Sequence, residues 1–247
     1  MRVEVAVRAS SCWGAWSQGF VETDLGADLR VRSGAELPRP DRYPAGNWRR
    51  MSRLARLCAL ATEPIISVIA PTEIGSLSLF FGSMAGEYST GVAFLHTLFQ
   101  KGPAGASPLL FQNAVHNAPS AHFTIALGAT GPVETVAAGL DTAFSTLERA
   151  MLAVNLRGTP ALVVIAEECG PEIQKGLVFA NMKGVFTEGA AAFLLEPGRG
   201  LWLDDQLKGP LNMDEFGAGP ASDAARVDAA VRALSGVSGS RFRVCAG

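Results

Sequence analysis

Gly131-Pro132-Val133-Glu134-Thr135-Val136-Ala137-Ala138-Gly139-Leu140-Asp141-Thr142-Ala143-Phe144 is the stretch whose reading decides the fold. Gly-Pro breaks the chain, and the Ala-rich residues 133–155 that follow predict one amphipathic helix. Gly158-Thr159-Pro160 stops it. Beyond that stop, Leu162 to Ile165 is apolar at every position, as a strand covered on both faces must be. Ala190 to Leu195 repeats the pattern.

Outward from there, Val3 to Val7 alternates as a strand, and Ala9 to Gly14 reads as a small-residue loop. Residues 26–47, rich in Gly, Pro, Arg and Asp, predict an irregular surface stretch. From Trp48 to Ile69 the pattern is helical, with Met51, Leu54, Leu57, Cys58 and Ala61 on one face. Arg49, Arg50, Arg53 and Arg56 then form a solvated face. Leu77 to Phe81 predicts a buried strand closed by Gly82, and Ser89 to Gln100 a helix. Ser107 to Ser120, with Pro108 and Pro119, reads as a loop, and Phe123 to Leu127 as a strand. Near the end, Asp223 to Leu234 predicts a helix capped by Ser222, and Arg241 to Val244 a short strand. Alternating strands and helices give an α/β fold, a mixed sheet flanked by helices. One domain is expected over 1–247, with 200–247 less regular.

Composition narrows the function. Charged residues make up 18% of the chain, below the usual ~25%. So little charge leaves a large covered surface open as an expectation. A net charge of −2 argues against nucleic acid as a partner. Cys12, Cys58, Cys169 and Cys245 are scattered without a CxxC pair, which speaks against a zinc site and a dense disulfide framework. The three histidines, His96, His116 and His122, have no acidic cluster beside them in sequence, so no metal is expected. With no apolar run of ~18 residues and no signal peptide, the expectation is a cytoplasmic protein off the membrane.

The usual nucleophile and phosphate motifs are missing: no GxSxG, SxxK, GxxxxGK[ST] or GxGxxG occurs. Two segments say more. Phe111-Gln112-Asn113-Ala114-Val115-His116-Asn117-Ala118-Pro119-Ser120 and the stretch from Leu127 to Phe144 together resemble the ketosynthase branch of the thiolase-like superfamily. In that family GPSxxVxTACxS brings a cysteine to the start of a buried helix. There the helix dipole and free N–H groups lower the thiol's pKa and form an oxyanion hole. Other pieces fall in the family's order: Arg50 to Leu57, Leu79 to Ser83 with Gly86 to Thr90, Ile165-Ala166-Glu167-Glu168, and Phe186-Thr187-Glu188-Gly189-Ala190-Ala191-Ala192-Phe193-Leu194-Leu195-Glu196. The resemblance implies a thiolase-like layered fold, its N-terminal half only.

The departures are as informative. Laid without gaps on that motif, the nucleophile position falls on Leu140, which cannot carry an acyl group. The second half, with its active-site histidines, has no counterpart here. The resemblance therefore implies a non-catalytic, chain-length-factor-like subunit, a pseudoenzyme on its own, paired as a heterodimer with a full-length catalytic ketosynthase and served by an acyl carrier protein. The setting would be polyketide, aryl polyene or fatty-acid-type elongation, with no cofactor. Phe111, His116, Asn117, Leu140, Asp141 and Phe144 are the expected tunnel or interface residues. Two other readings stay open: an acyl-transfer or malonyl-decarboxylating enzyme using His116 and Asn117, and a homodimeric acyl-chain-binding protein.

Overall fold

Three strands apolar on both faces anchor the architecture, and each needs a helix layer on either side. A computed structural model describes residues 3–14, 20–26, 29–34 and 36–202. The chain runs through strands β1 (Glu4–Gly14), β2 (Phe20–Gly26) and β3 (Leu29–Gly34). Helices α1 (Ala45–Arg50), α2 (Arg53–Ile66) and α3 (Pro71–Ile74) follow, then β4 (Ser78–Gly82). Next come α4 (Tyr88–Lys101), α5 (Pro108–Asn113), α6 (Ala118–Leu127), β5 (Val133–Val136) and α7 (Thr142–Arg157). The described chain ends with β6 (Ala161–Glu167), α8 (Pro171–Phe179), β7 (Gly184–Thr187), β8 (Gly189–Pro197) and β9 (Leu201–Trp202). The helix expected over 223–234 and the strand over 241–244 lie outside the described residues.

Six strands form one sheet in the order β5-β4-β6-β8-β1-β9. The β5, β4 and β6 trio is parallel, whereas β8 and β1 pair antiparallel, so the sheet is mixed. A smaller sheet, β2-β3-β7, stands apart from it. On one face α2 buries Leu54, Leu57, Cys58, Ala61 and Ile65 against Leu79, Phe81, Leu162, Val164 and Leu194. On the other, α7 buries Ala150, Met151 and Val154 against Phe80, Val163 and Leu195. Each such side chain contributes ~1.5–3 kcal/mol by leaving water. The layers are helix, sheet, helix.

β1 serves both layers. Its pairing with β8 shifts register between Val7 and Ala9. Before the bulge, Val3, Val5 and Val7 pack in the α7 layer; after it, Ala9 and Trp13 pack in the α2 layer. Odd-numbered residues would otherwise all share one face. Arg8, at the shift, turns outward to bond Glu73 at 3.0 Å.

Several expectations are corrected. Ala9 to Gly14 is strand, not loop, because it pairs along β8. The stretch 26–47 holds β3, with Leu29 and Val31 buried against Cys169 and Leu177. The helix expected from Trp48 to Ile69 breaks at Met51-Ser52, where Ser52 Oγ accepts from the Ala55 N–H at 3.1 Å and starts α2 afresh. Ser107 to Ser120 is no loop: Pro108 and Pro119 each sit in the first turn of a helix, where a missing N–H costs nothing. Phe123 to Leu127 belongs to α6 and not to a strand. Most important, the helix expected over 133–155 begins only at Thr142, since Val133–Val136 pairs parallel to β4 as an edge strand.

Candidate functional site

Gly131 begins the approach to the site. A side chain there would collide with the Leu77 carbonyl, so only glycine lets Pro132 reach β4, where its carbonyl accepts from the Leu79 N–H at 2.8 Å. From β5 the chain enters a tight helical turn, Gly139–Asp141, that holds Leu140 immediately before α7. Gly139 has φ +58°, a left-handed conformation that favours glycine. The Thr142 hydroxyl accepts from the Ala138 N–H at 2.9 Å and donates to the Gly139 carbonyl at 2.6 Å, locking the turn. The start of α7 then lies on the end of β4: a Cβ on Gly82 would strike Thr146 Oγ1. Position 140 is thus at the start of a packed helix, where a thiol would be activated. Leucine supplies no nucleophile there.

The other expected residues spread over the neighbouring helices. Phe111, on α5, is 63% exposed and packs at a tilt of 54° against Phe94 of α4, ring centroids 5.5 Å apart. Phe144, on α7, is 61% exposed. Asp141 is half-buried at the head of α7. His116, in the turn between α5 and α6, lies over Gly86; a Cβ there would be 2.6 Å from its ring. Asn117, next to it, opens a shallow cleft of about 380 Å³ with Ser120, Ala121, Thr124, Val133 and Thr135, between α6 and β5. His122 is turned inward, its Nε2 3.2 Å from Asn113 Oδ1, and burial holds its pKa down.

A cluster of buried glutamates was not among the expected site residues. Glu167, at the end of β6, accepts from the Ser83 hydroxyl at 3.1 Å, from the Ala85 N–H at 3.2 Å and from the Met84 N–H. Burial still raises its pKa, against those donors and the nearby His116. Glu168 is 4% exposed and is likewise raised by burial. Glu188, fully buried, accepts from Arg53 and from the Gly34 N–H at 2.7 Å. Glu87 accepts from the Ser52 hydroxyl and from Thr90 at 2.7 Å. Burial pushes Glu87 up to about 7, and the charge of Glu168 adds to the rise. The available signal was position: Glu167 and Glu168 close an all-apolar strand, and Glu188 opens another.

Burial raises the pKa of Cys58 well above its ordinary value and that of Cys169 to about 12, which disfavours the thiolate at both. Among the described residues no group of three or more His, Cys, Asp or Glu is arranged to hold a metal ion. Among the same residues no helix is long and apolar enough to cross a membrane.

The family profile described as beta-ketoacyl synthase, N-terminal domain, matches residues 25–235. Among solved structures, the chain is similar to the ketosynthase ApeO in complex with its chain length factor ApeC from Xenorhabdus doucetiae. The TM-score is 0.59 at 22% identity, over 80% of this chain and 80% of that one. It is similar to the ishigamide ketosynthase/chain length factor, with a TM-score of 0.64 at 18% identity, over 94% of this chain and 74% of that one. A third likeness is to AntDE:AntF, a type II acyl carrier protein in complex with its ketosynthase bound to the hexaketide. There the TM-score is 0.63 at 15% identity, over 80% of this chain and 64% of that one. At these identities the likeness is one of fold. No curated protein matches the chain in sequence.

Proposed function

The chain belongs to the β-ketoacyl synthase, N-terminal domain family, and on that premise we propose that it is a non-catalytic, chain-length-factor-like subunit. Its partner is a full-length catalytic ketosynthase, and the pair elongates acyl chains carried on an acyl carrier protein in the cytoplasm. Polyketide, aryl polyene or fatty-acid-type elongation is the setting. The single fold unit 1–247 acts as one subunit. The observation that carries this reading is Leu140 at the head of α7, where a family enzyme would hold its thiol.

The role is steric. Side chains on the partner-facing side, with Phe111, His116, Asn117, Asp141 and Phe144 among them and position 140 in the adjoining turn, close the far end of the partner's acyl tunnel. A chain pushed one methylene past a tight wall loses roughly 1–3 kcal/mol, enough to favour release over another cycle. The partner-facing side also needs covering. Helix α4 buries no residue of its own, and Phe99, Phe111 and Phe144 stand largely in water. An apolar surface of that kind marks an interface. Among the described residues β5 ends the six-stranded sheet, with one row of its backbone groups left for a neighbour.

Co-expression with a catalytic ketosynthase encoded beside this chain, followed by size-exclusion chromatography, tests the reading. A stable 1:1 complex that needs this chain to set product length supports it. An acyl group attached covalently to the purified chain alone overturns it, as does turnover of malonyl-carrier by the isolated protein.

A further inference from the structure

Three fully or almost fully buried glutamates, Glu87, Glu168 and Glu188, lie in one polar core of the molecule. Arg53 is committed to Glu188, bonding both of its oxygens. Glu87 receives only hydroxyl donors, Ser52 from the head of α2 and Thr90 from the first turn of α4. The charge that bears on it is that of Glu168, at the end of β6, and Cys58 faces it from α2 as a neutral thiol. Glu168 meets Ser89, also in the first turn of α4. The Oε1 of Glu168 and the Oγ of Ser89 each lack a hydrogen-bond partner. Glu188 opposes a charge on Glu168 and Arg53 only partly offsets it, so the two carboxyls cannot both ionise cheaply: each charge would be stripped of water beside a like charge.

Glu87 grips that turn, and Glu168 lies near Ser89 within it. The Glu87 carbonyl accepts from the Gly91 N–H at 2.8 Å and opens α4, while its side chain ties that turn to α2. The rest of α4 has no buried residue and rests on α5 and α8. Its attachment to the core is therefore concentrated at residues 87–90.

We propose that a proton held on Glu87, sealed from solvent near Glu168, latches the first turn of α4 to the head of α2, so that losing the proton to solvent releases the helix and its apolar face. The latch is closed in mildly acidic solution and opens as the solution turns alkaline.

Hydrogen exchange read by mass spectrometry on the full chain, without a partner, tests this independently of the subunit role. With Glu87 titrating at about 7 when latched, opening of residues 88–101 should rise about tenfold between about pH 6 and about pH 8, after correction for intrinsic exchange. The Glu87→Gln variant, a mimic of the protonated acid, should lose most of that rise. Strand β6, buried at the centre of the sheet, should stay far more protected than residues 88–101 at both pH values. Should Glu87→Gln fail to fold, Glu168→Gln serves: without the neighbouring charge the transition moves to lower pH. A pH-independent α4 in the native protein, or an unchanged profile in either folded variant, overturns the latch.

Discussion

Arg53 grips Glu188 with two nitrogens, Nε to Oε2 at 2.9 Å and a terminal amine to Oε1, while the carboxylate itself has no exposure to solvent. The same guanidinium reaches the Gly34 carbonyl, so one cation joins α2, the end of β3 and the start of β8. A cation in the first turn of a helix opposes the macrodipole; the ion pair outweighs that. Arg53→Met leaves Glu188 buried and uncompensated, and it should destabilise the chain by about 3–5 kcal/mol in urea unfolding. A loss under about 1 kcal/mol would mean that solvent already screens the pair.

Leu140→Cys should not convert the chain into a condensing enzyme. A thiol in the turn before α7 is not enough for condensation, because on the proposed reading the groups that decarboxylate the extender belong to the catalytic partner. Intact-mass measurement after incubation with an acyl thioester should show no adduct on the native protein. The variant complex should elongate no faster than the native one.

Phe111→Ala and Phe144→Ala should change the length of the product made by the complex without abolishing turnover. Both rings are mostly exposed in the single chain, so their removal costs the isolated fold little, under about 0.5 kcal/mol. Product profiles by mass spectrometry decide, and an unchanged profile counts against the tunnel-wall role.

Gly82→Ala should cost about 1–3 kcal/mol, because the new methyl runs into Thr146 and crowds Thr142. Thr146→Ala in the same chain removes the nearest atom and should recover part of the loss. Thermal unfolding of the single and double variants gives the coupling between them.

Stability should fall as pH rises from about 4.5 to about 7. Burial lifts Glu87 to about 7 in the folded protein, above an unfolded value of about 4.3. Within that window the folded state binds more protons than the unfolded one, so its advantage is complete at the acid end and drains away toward neutrality. Glu167 and Glu168, also raised, act in the same direction. Glu87 accounts for at most about 4 kcal/mol. Urea unfolding at about pH 5 and about pH 8 should show a smaller difference in Glu87→Gln than in the native chain.

The buried strands were legible because their apolar character does not depend on where the partner strand lies. Leu79 to Phe81, Leu162 to Ile165 and Ala190 to Leu195 all fall inside strands of the main sheet. Val133–Val136 was misread because four residues joined to an alanine-rich tail look helical, and only pairing with β4 makes them a strand. Phe123 to Leu127 failed the opposite way: its β-branched residues suggested a strand, yet Pro119 two residues into a helix had already set the backbone. Leu140 could be placed by motif spacing alone. The glutamate cluster could not, because its members stand up to 101 residues apart, Glu87 to Glu188, and meet only through the fold.

The shifted pairing at Val7–Ala9 makes the first strand tolerant of chemistry and intolerant of arithmetic. Exchanging the Arg8 side chain leaves Val5 facing one helix layer and Trp13 the other. Deleting a single residue there straightens the ribbon and forces one half to turn its greasy side chains the wrong way. Drift in composition is cheap along this strand, whereas a one-codon loss is not.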